Sequence, residues 1–374
     1  MRFTCNDRLD GPLTRAVMAA TSSKTRRTRI LIISDTHCAS LEAHAGDATP
    51  KRPFSSPLPK ADVLIHCGDL TTTGRHVEYV QTLDMLKQIE APVKLVIAGN
   101  HDLTLDRDFV SRHTGKPWHT DEFLDLDGAS AGAVVKDARD LWTAADGRAK
   151  SEGVTFLDEG LHDIDLPNGA RVRVYATPFT PEFCDWGFPY QLEEDRFNAV
   201  GTSLQDATNI ASHPVPACVS GGRPVDILLT HGPPYGQLDE TTTGHPAGCP
   251  HLLRALMRSR PLLHCFGHIH EGWGARVVDW SAQADCRVVV DAARIAEWRQ
   301  GGYRSGVSKT NDIRVDLEDA KENHAVRLDL SMTGRALERG SQTALVNAAI
   351  MDVDYAPVNA PWLVDIDLPM RVNI

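Results

Sequence analysis

Five short clusters of Asp, Asn and His stand out in the chain, and they share one chemistry. They are Asp35-x-His37, Gly68-Asp69, Gly99-Asn100-His101-Asp102, His231-Gly232 and Gly267-His268-x-His270. Carboxylate and amide oxygens together with neutral imidazole, and no thiolate, suit borderline-hard divalent ions. In an extended segment side chains repeat every two residues, so Asp35 with His37, and His268 with His270, are expected to share a face. A glycine precedes Asp69, Asn100 and His268 and follows His231, permitting the sharp turns that aim a ligand from a strand end. Any one of these clusters alone is an ordinary turn or surface feature. Five of the same kind in one chain point to a divalent-metal centre.

Each cluster ends a short apolar run. Arg29–Ser34 leads into Asp35, Asp62–His66 into Asp69, Val93–Ile97 into Asn100, Asp226–Thr230 into His231, and Leu262–Phe266 into His268. Runs of this length, rich in β-branched residues and bounded by turn signals, read as buried strands. Residues 76–89 carry Val77, Val80, Leu83 and Leu86 at helical spacing. Strand, turn, helix, strand is βαβ logic, which gathers ligands at the carboxyl ends of strands. Further on, 154–157, 161–166 and 171–175 alternate in period two around Asn168-Gly169, a hairpin signal, and 138–150 is expected to be helical. Stretches 38–60 and 201–224 read as surface loops. His66, His264, Cys67 and Cys265 fall inside strand runs and are expected to pack. His44, His113, His119, His162, His213, His245 and His251 belong to no cluster and are expected at the surface.

Composition narrows the rest. The 374 residues suit one large domain or two ordinary ones. Hydrophobic residues at 42% and charged residues at 24% exclude wholesale disorder. The net charge of −11 argues against a general nucleic-acid binder but permits a phosphate-bearing substrate if the site brings its own cations. No apolar run approaches the ~18 residues of a membrane span. Eight scattered cysteines without a CxxC pair suit a reduced, cytoplasmic protein. Residues 1–28, basic and poor in apolar residues, read as a flexible tail; an organellar presequence is the alternative reading.

All five clusters, in order and without substitution, resemble the calcineurin-like metallophosphoesterases, whose pattern is D-x-H … G-D … G-N-H-[DE] … H … G-H-x-H. The runs 33–37, 63–69, 96–104, 227–234, 266–274 and 355–361 are similar to the MPPED-type (UPF0046-like) branch, related to class III cyclic nucleotide phosphodiesterases. The resemblance implies an α/β fold, a four-layer αββα sandwich of two mixed β-sheets flanked by helices. It implies two divalent ions, with Mn, Fe, Zn and Mg all admissible. Asp35, His37 and His270 would hold the first, Asn100, His231 and His268 the second, and Asp69 would bridge them. Two close cations need such an anionic bridge, and together they lower the pKa of a shared water.

A bridging hydroxide would then attack phosphorus. His101 would donate a proton to the leaving oxygen, Asp102 would assist it or cap a strand or helix end, and Asn100 and His101 would also contact substrate. The aromatic stretch 179–190, with Phe183, Trp186 and Phe188, would stack a nucleobase or simply cap the core. The implied activity is hydrolysis of phosphodiesters of cyclic-nucleotide type. A phosphomonoesterase or protein phosphatase of the same fold, or a slow nucleotide-binding regulatory protein, are the alternatives. The expected partner is a small phosphoester, with neither nucleic acid nor membrane. Residues 29–374 form a single domain on this reading, with a family-atypical insertion at about 275–342. Within it 287–290 and 326–330 are expected as strands and 295–299 as a helical turn.

Overall fold

The computed structural model describes residues 24–42, 52–114, 131–218, 223–280 and 307–371. Along the chain the strands are β1 (Thr25–Ile33), β2 (Val63–His66), β3 (Val93–Val96), β4 (Val154–Phe156), β5 (Gly160–Asp165) and β6 (Arg171–Thr177). Four two-residue strands follow, β7 (Thr180–Pro181), β8 (Pro189–Tyr190), β9 (Glu194–Asp195) and β10 (Thr208–Asn209). The series ends with β11 (Ile227–Thr230), β12 (Leu263–Phe266), β13 (Gly274–Trp280), β14 (Val307–Asp312), β15 (Val326–Asp329), β16 (Gln342–Asn347) and β17 (Trp362–Pro369). The helices are α1 (His76–Lys87), α2 (Arg107–His113), α3 (Ala131–Thr143), α4 (Arg148–Ser151), α5 (Pro250–Ser259) and α6 (Leu317–Asn323).

Two mixed sheets carry the fold. The first has the order β15-β17-β1-β2-β3-β4 and the second β14-β13-β16-β12-β11-β6-β5. Strands β1 to β4 run parallel, as do β6, β11, β12 and β16, so the strand ends that precede the clusters face one way within each sheet.

Period-two alternation then decides the layering. Ile30 and Ile32 of β1 point into a core shared with Ile227 and Leu229 of β11, Cys265 of β12 and Val346 of β16. Leu31 and Ile33 point the other way, onto Tyr79, Leu83 and Leu86 of α1 and Trp142 of α3. On the far side Leu228, Phe266 and Leu345 meet Leu252, Ala255 and Leu256 of α5. Helix, sheet, sheet, helix is the expected four-layer arrangement. Because both faces of the central strands are covered, they read as continuous apolar runs.

Three local expectations change. The first strand starts at Thr25, which pairs with Pro369, so the strand begins four residues before Arg29. The helical stretch expected at 138–150 is two helices, α3 and α4, parted at Gly147. The segment 275–342 is more than an excursion from the framework. Ala275 and Val277 of β13 are buried in the inter-sheet core, β13 lies between β16 and β14, and β15 edges the first sheet beside β17. Residues 287–290 and 295–299, expected as strand and helical turn, lie outside the described residues.

Candidate metal centre

All five clusters meet at one place. Asp35 and His37 follow β1, Asp69 follows β2, Asn100 and His101 follow β3, His231 follows β11, and His268 and His270 follow β12. The two sheets are stitched together there: Ile350 N–H donates to the Ser34 carbonyl at 2.9 Å, and His268 N–H to Asp35 Oδ2 at 3.0 Å. Three groups have ligand atoms within 4.8 Å of one another: Asp35 with His37 and His270, Asp69 with His231 and His268, and His37 with Asp69 and His101. Asp69 belongs to two of these groups, and the amide oxygen of Asn100 lies 2.8 Å from His231 Nε2.

The segments carrying these residues are not extended. Asp35, His37, Asp69 and His268 all sit at positive φ, between 40° and 66°, and His270 opens a 3-10 turn. The left-handed region costs a residue with a Cβ roughly 1–2 kcal/mol, so four such ligands in one site represent stored strain. The expectation that an i, i+2 extended spacing aligns each pair is therefore corrected: tight left-handed bends do it. The glycines also work differently at two positions. A Cβ on Gly267 would lie 1.9 Å from Asp35 Oδ2, and one on Gly99 would lie 2.3 Å from Asp69 Oδ1. Neither is at positive φ; they are bare so that a carboxylate can pass close to the backbone. Gly68, at φ +100°, does serve as a turn residue.

Backbone carbonyls fix the imidazoles. The Nδ1 of His37 faces the Thr71 carbonyl at 3.0 Å, that of His231 the Cys67 carbonyl at 2.9 Å, and that of His270 the Asp352 carbonyl at 2.9 Å. A carbonyl only accepts, so each Nδ1 carries the proton and Nε2 is turned toward the carboxylates, the arrangement by which outer partners orient metal-binding histidines. His37 Nε2 is buried with no hydrogen-bond partner. An orphaned imidazole nitrogen beside two carboxylates is what a missing cation leaves behind. The donor set fits divalent ions.

Electrostatics point the same way. Burial drives His37 down to about 4 and His268 down to about 3, so both are neutral donors. His231 and His270 also suffer burial, yet Asp69 and Asp35 respectively overcome it and lift each to about 9. Asp35 is held down at about 2, its burial outweighed by His270 and His231. Without a cation, protons on His231 and His270 balance the carboxylates; a divalent ion must displace them, so acidification opposes loading.

His101 stands at the mouth. Its Nδ1 faces the Thr72 carbonyl at 2.8 Å, its backbone N–H donates to Asp69 Oδ1 at 2.9 Å, and Trp186 stacks on its ring at 3.8 Å. Asp102 is placed unlike a catalytic acid or base. Its carboxylate is fully buried and accepts from the backbone N–H of Leu70, Thr71 and Gly99 and from Thr71 Oγ1, at 2.7 to 3.2 Å. It knots the loop after β2 to the loop after β3, and His101 takes its orientation from Thr72 instead. These hydrogen bonds favour, of the two roles open to Asp102, the local capping one.

A cleft of about 230 Å³ opens above, floored by Asp69, Asn100 and the histidines and rimmed by Phe183, Trp186, Val353 and Tyr355. Among the described residues its lining includes no Lys or Arg, and Glu271 adds an acidic group.

The pattern of the calcineurin-like phosphoesterases matches residues 28–272. The chain belongs to that family. It is 30% identical over 254 residues to metallophosphoesterase domain-containing protein 1 of Homo sapiens, covering 66% of this chain and 62% of that one. It is 30% identical over 233 residues to a UPF0046 protein of Caenorhabditis elegans, covering 62% and 51%. A probable rhamnogalacturonate lyase C of Emericella nidulans is 32% identical over 254 residues, 67% of this chain but only 18% of that protein. The match thus spans from under a fifth to about three fifths of these relatives. The buried Asp/His clusters fit the divalent ions that membership of this family implies.

The remaining histidines divide. His66 and His264 are fully buried, each with Nε2 2.9 Å from a threonine hydroxyl, Thr36 and Thr230, beside the ligands. His113 and His251, expected at the surface, are buried instead. His113 Nε2 lies 2.8 Å from Asp185 and ties α2 to the aromatic loop. His44 and His119 lie outside the described residues. What sequence reasoning missed was the outer support. The carbonyls of Cys67, Thr71, Thr72 and Asp352 have no side-chain signature, and Tyr355 sat in a recognised stretch with no role attached.

Proposed function

We propose that the chain hydrolyses phosphodiesters of cyclic-nucleotide type. Asp35, His37 and His270 would hold one divalent ion, Asn100, His231 and His268 a second, and Asp69 would serve both. When bound, such ions supply Lewis-acid charge to the phosphoryl oxygens and acidify a water. The chain's own part is positional. Asp69 fixes the His101 backbone, and the Thr72 carbonyl holds Nδ1–H so that Nε2 faces the cleft. From there His101 Nε2–H reaches the leaving oxygen and protonates it, while Trp186 holds the ring in plane.

One observation carries the choice of substrate class: among the described residues the lining has no Lys or Arg, has Glu271, and has an apolar rim. A dianionic monoester would ask for cationic side chains beyond the metal ions. A diester carries one charge and an organic group on both sides, which suits a polar floor beneath aromatic walls. The test is a panel on metal-reconstituted protein, with bis-p-nitrophenyl phosphate against p-nitrophenyl phosphate and cyclic nucleotides against nucleoside monophosphates. Faster turnover of the diester in both pairs is expected. Preference for the monoesters would replace this reading with a phosphomonoesterase.

A further inference from the structure

Tyr355 lies outside the five Asp/Asn/His clusters, yet it lines the same cleft as Asp69, Asn100, His101, His268 and His270. Its ring meets His37 edge-on at 4.8 Å, His270 at 5.4 Å and His101 at 6.1 Å. Its hydroxyl is 3.5 Å from His101 Nε2, and half of the side chain is open to the cleft. A tyrosine in that setting would ordinarily take a relaxed backbone. Here φ is +59°, a conformation unfavourable to any bulky residue.

The loop explains how that strain is held. Asp352 accepts through its carboxylate from the N–H of Asp354 and Ala356, and through its carbonyl from the N–H of Tyr355. The same carbonyl faces His270 Nδ1. One residue therefore sets both a histidine of the metal floor and the turn that tips Tyr355 over it. An unfavourable backbone, over-determined by its neighbours at the edge of a cleft, marks a position kept for what its side chain does.

We propose that Tyr355 acts on the leaving-group side, with two separable jobs, an inference that rests on the phosphodiesterase reading above. Its hydroxyl is a positioning group for His101: a phenol both donates and accepts, so it can hold Nε2 toward the cleft before the leaving oxygen arrives. Its ring is the wall opposite Trp186, a surface for an aromatic or nucleoside leaving group. Trp186 grips His101 by its face and Tyr355 by its edge, so the imidazole enters the cleft in one orientation.

The experiment uses full-length, metal-reconstituted protein and two variants. Tyr355→Phe removes only the hydroxyl. It should keep metal content and KM while lowering kcat about tenfold for diesters with poor leaving groups, and much less for p-nitrophenolate esters. Tyr355→Ala removes the wall. It should weaken phenyl phosphate binding several-fold by calorimetry while leaving inorganic phosphate binding unchanged, a difference that loss of fold or metal would not produce. If the parent hydrolyses diesters but Tyr355→Phe matches its kcat on every leaving group, the positioning role is overturned. If Tyr355→Ala keeps the parent's ratio of phenyl phosphate to phosphate affinity, the wall is overturned. A parent inactive on all diesters would instead remove the underlying reading, and the calorimetric ratio would still judge the wall.

Discussion

The floor of the cleft and its rim are built on opposite principles. On the floor the donors are buried or nearly so, and three of them are doubly constrained: His37, His231 and His270 each have Nδ1 fixed by a carbonyl and Nε2 turned to a carboxylate. On the rim Phe183, Val353 and Tyr355 stand half or more exposed on loops. The floor offers one geometry to one kind of ion; the rim offers apolar area to whatever organic group the phosphate carries. Reaction type thus lives on the strand ends and selectivity on the loops.

Changes to the floor should therefore abolish and changes to the rim should only tune. The largest effect belongs to Asp69→Asn, which removes the charge that two donor groups share. Elemental analysis should show metal lost from both sites together with activity; unchanged metal content would break the binuclear picture. Next comes His101→Ala, which stands between floor and rim. Metal should stay, and kcat should fall by about 10²–10⁴, the usual worth of a placed proton donor. The loss should be greatest for alkoxide leaving groups, and an equal loss for p-nitrophenolate would assign His101 another task.

Trp186→Ala tests the rim. An aromatic contact contributes about 0.5–1.5 kcal/mol beyond area burial, so KM for an aryl diester should rise by roughly threefold to tenfold. A collapse of metal binding in that variant would erase the distinction between the two regions. Beneath the floor the effect on turnover should be smallest. Burial alone holds His264 at about 3, against 6.5 for an exposed histidine. Between those values the unfolded chain binds the proton and the folded one does not. Stability from this group is thus complete above about pH 6.5 and is lost as pH falls toward 3. His264→Leu should leave neutral activity nearly intact and flatten the acid limb of a denaturation series, with His66, His37, His268 and Asp35 among the groups that supply the slope that remains. An unchanged limb would mean that His264 is already charged in the fold.

The contrast between floor and rim also marks what could be read from sequence. Divalent-ion chemistry restricts residue types so tightly that the floor was written as five recognisable clusters, and βαβ patterning placed them at strand ends. The left-handed bends at Asp35 and His37 were invisible, because backbone angles are set by packing across the two sheets. For Asp102 the sequence left two roles open, because its neighbours in the chain are reactive while its partners in space are mostly backbone amides. Tyr355 and Trp186 come from segments nearly 170 residues apart, and aromatic residues in loops have no spacing rule that would pair them. Within the segment 275–342 the strand at 326–329 was legible from its apolar alternation, but the place of β13 and β15 in the two sheets is set by pairing partners far along the chain.

The left-handed ligands carry a consequence for lineages. In a descendant chain no longer selected to bind metal, replacing Asp35, His37, Asp69 or His268 by glycine or asparagine would relieve backbone cost and carboxylate crowding at once. Such a copy would fold more securely than its active ancestor. Decay of the centre would then relieve backbone strain that the intact set in this chain still carries.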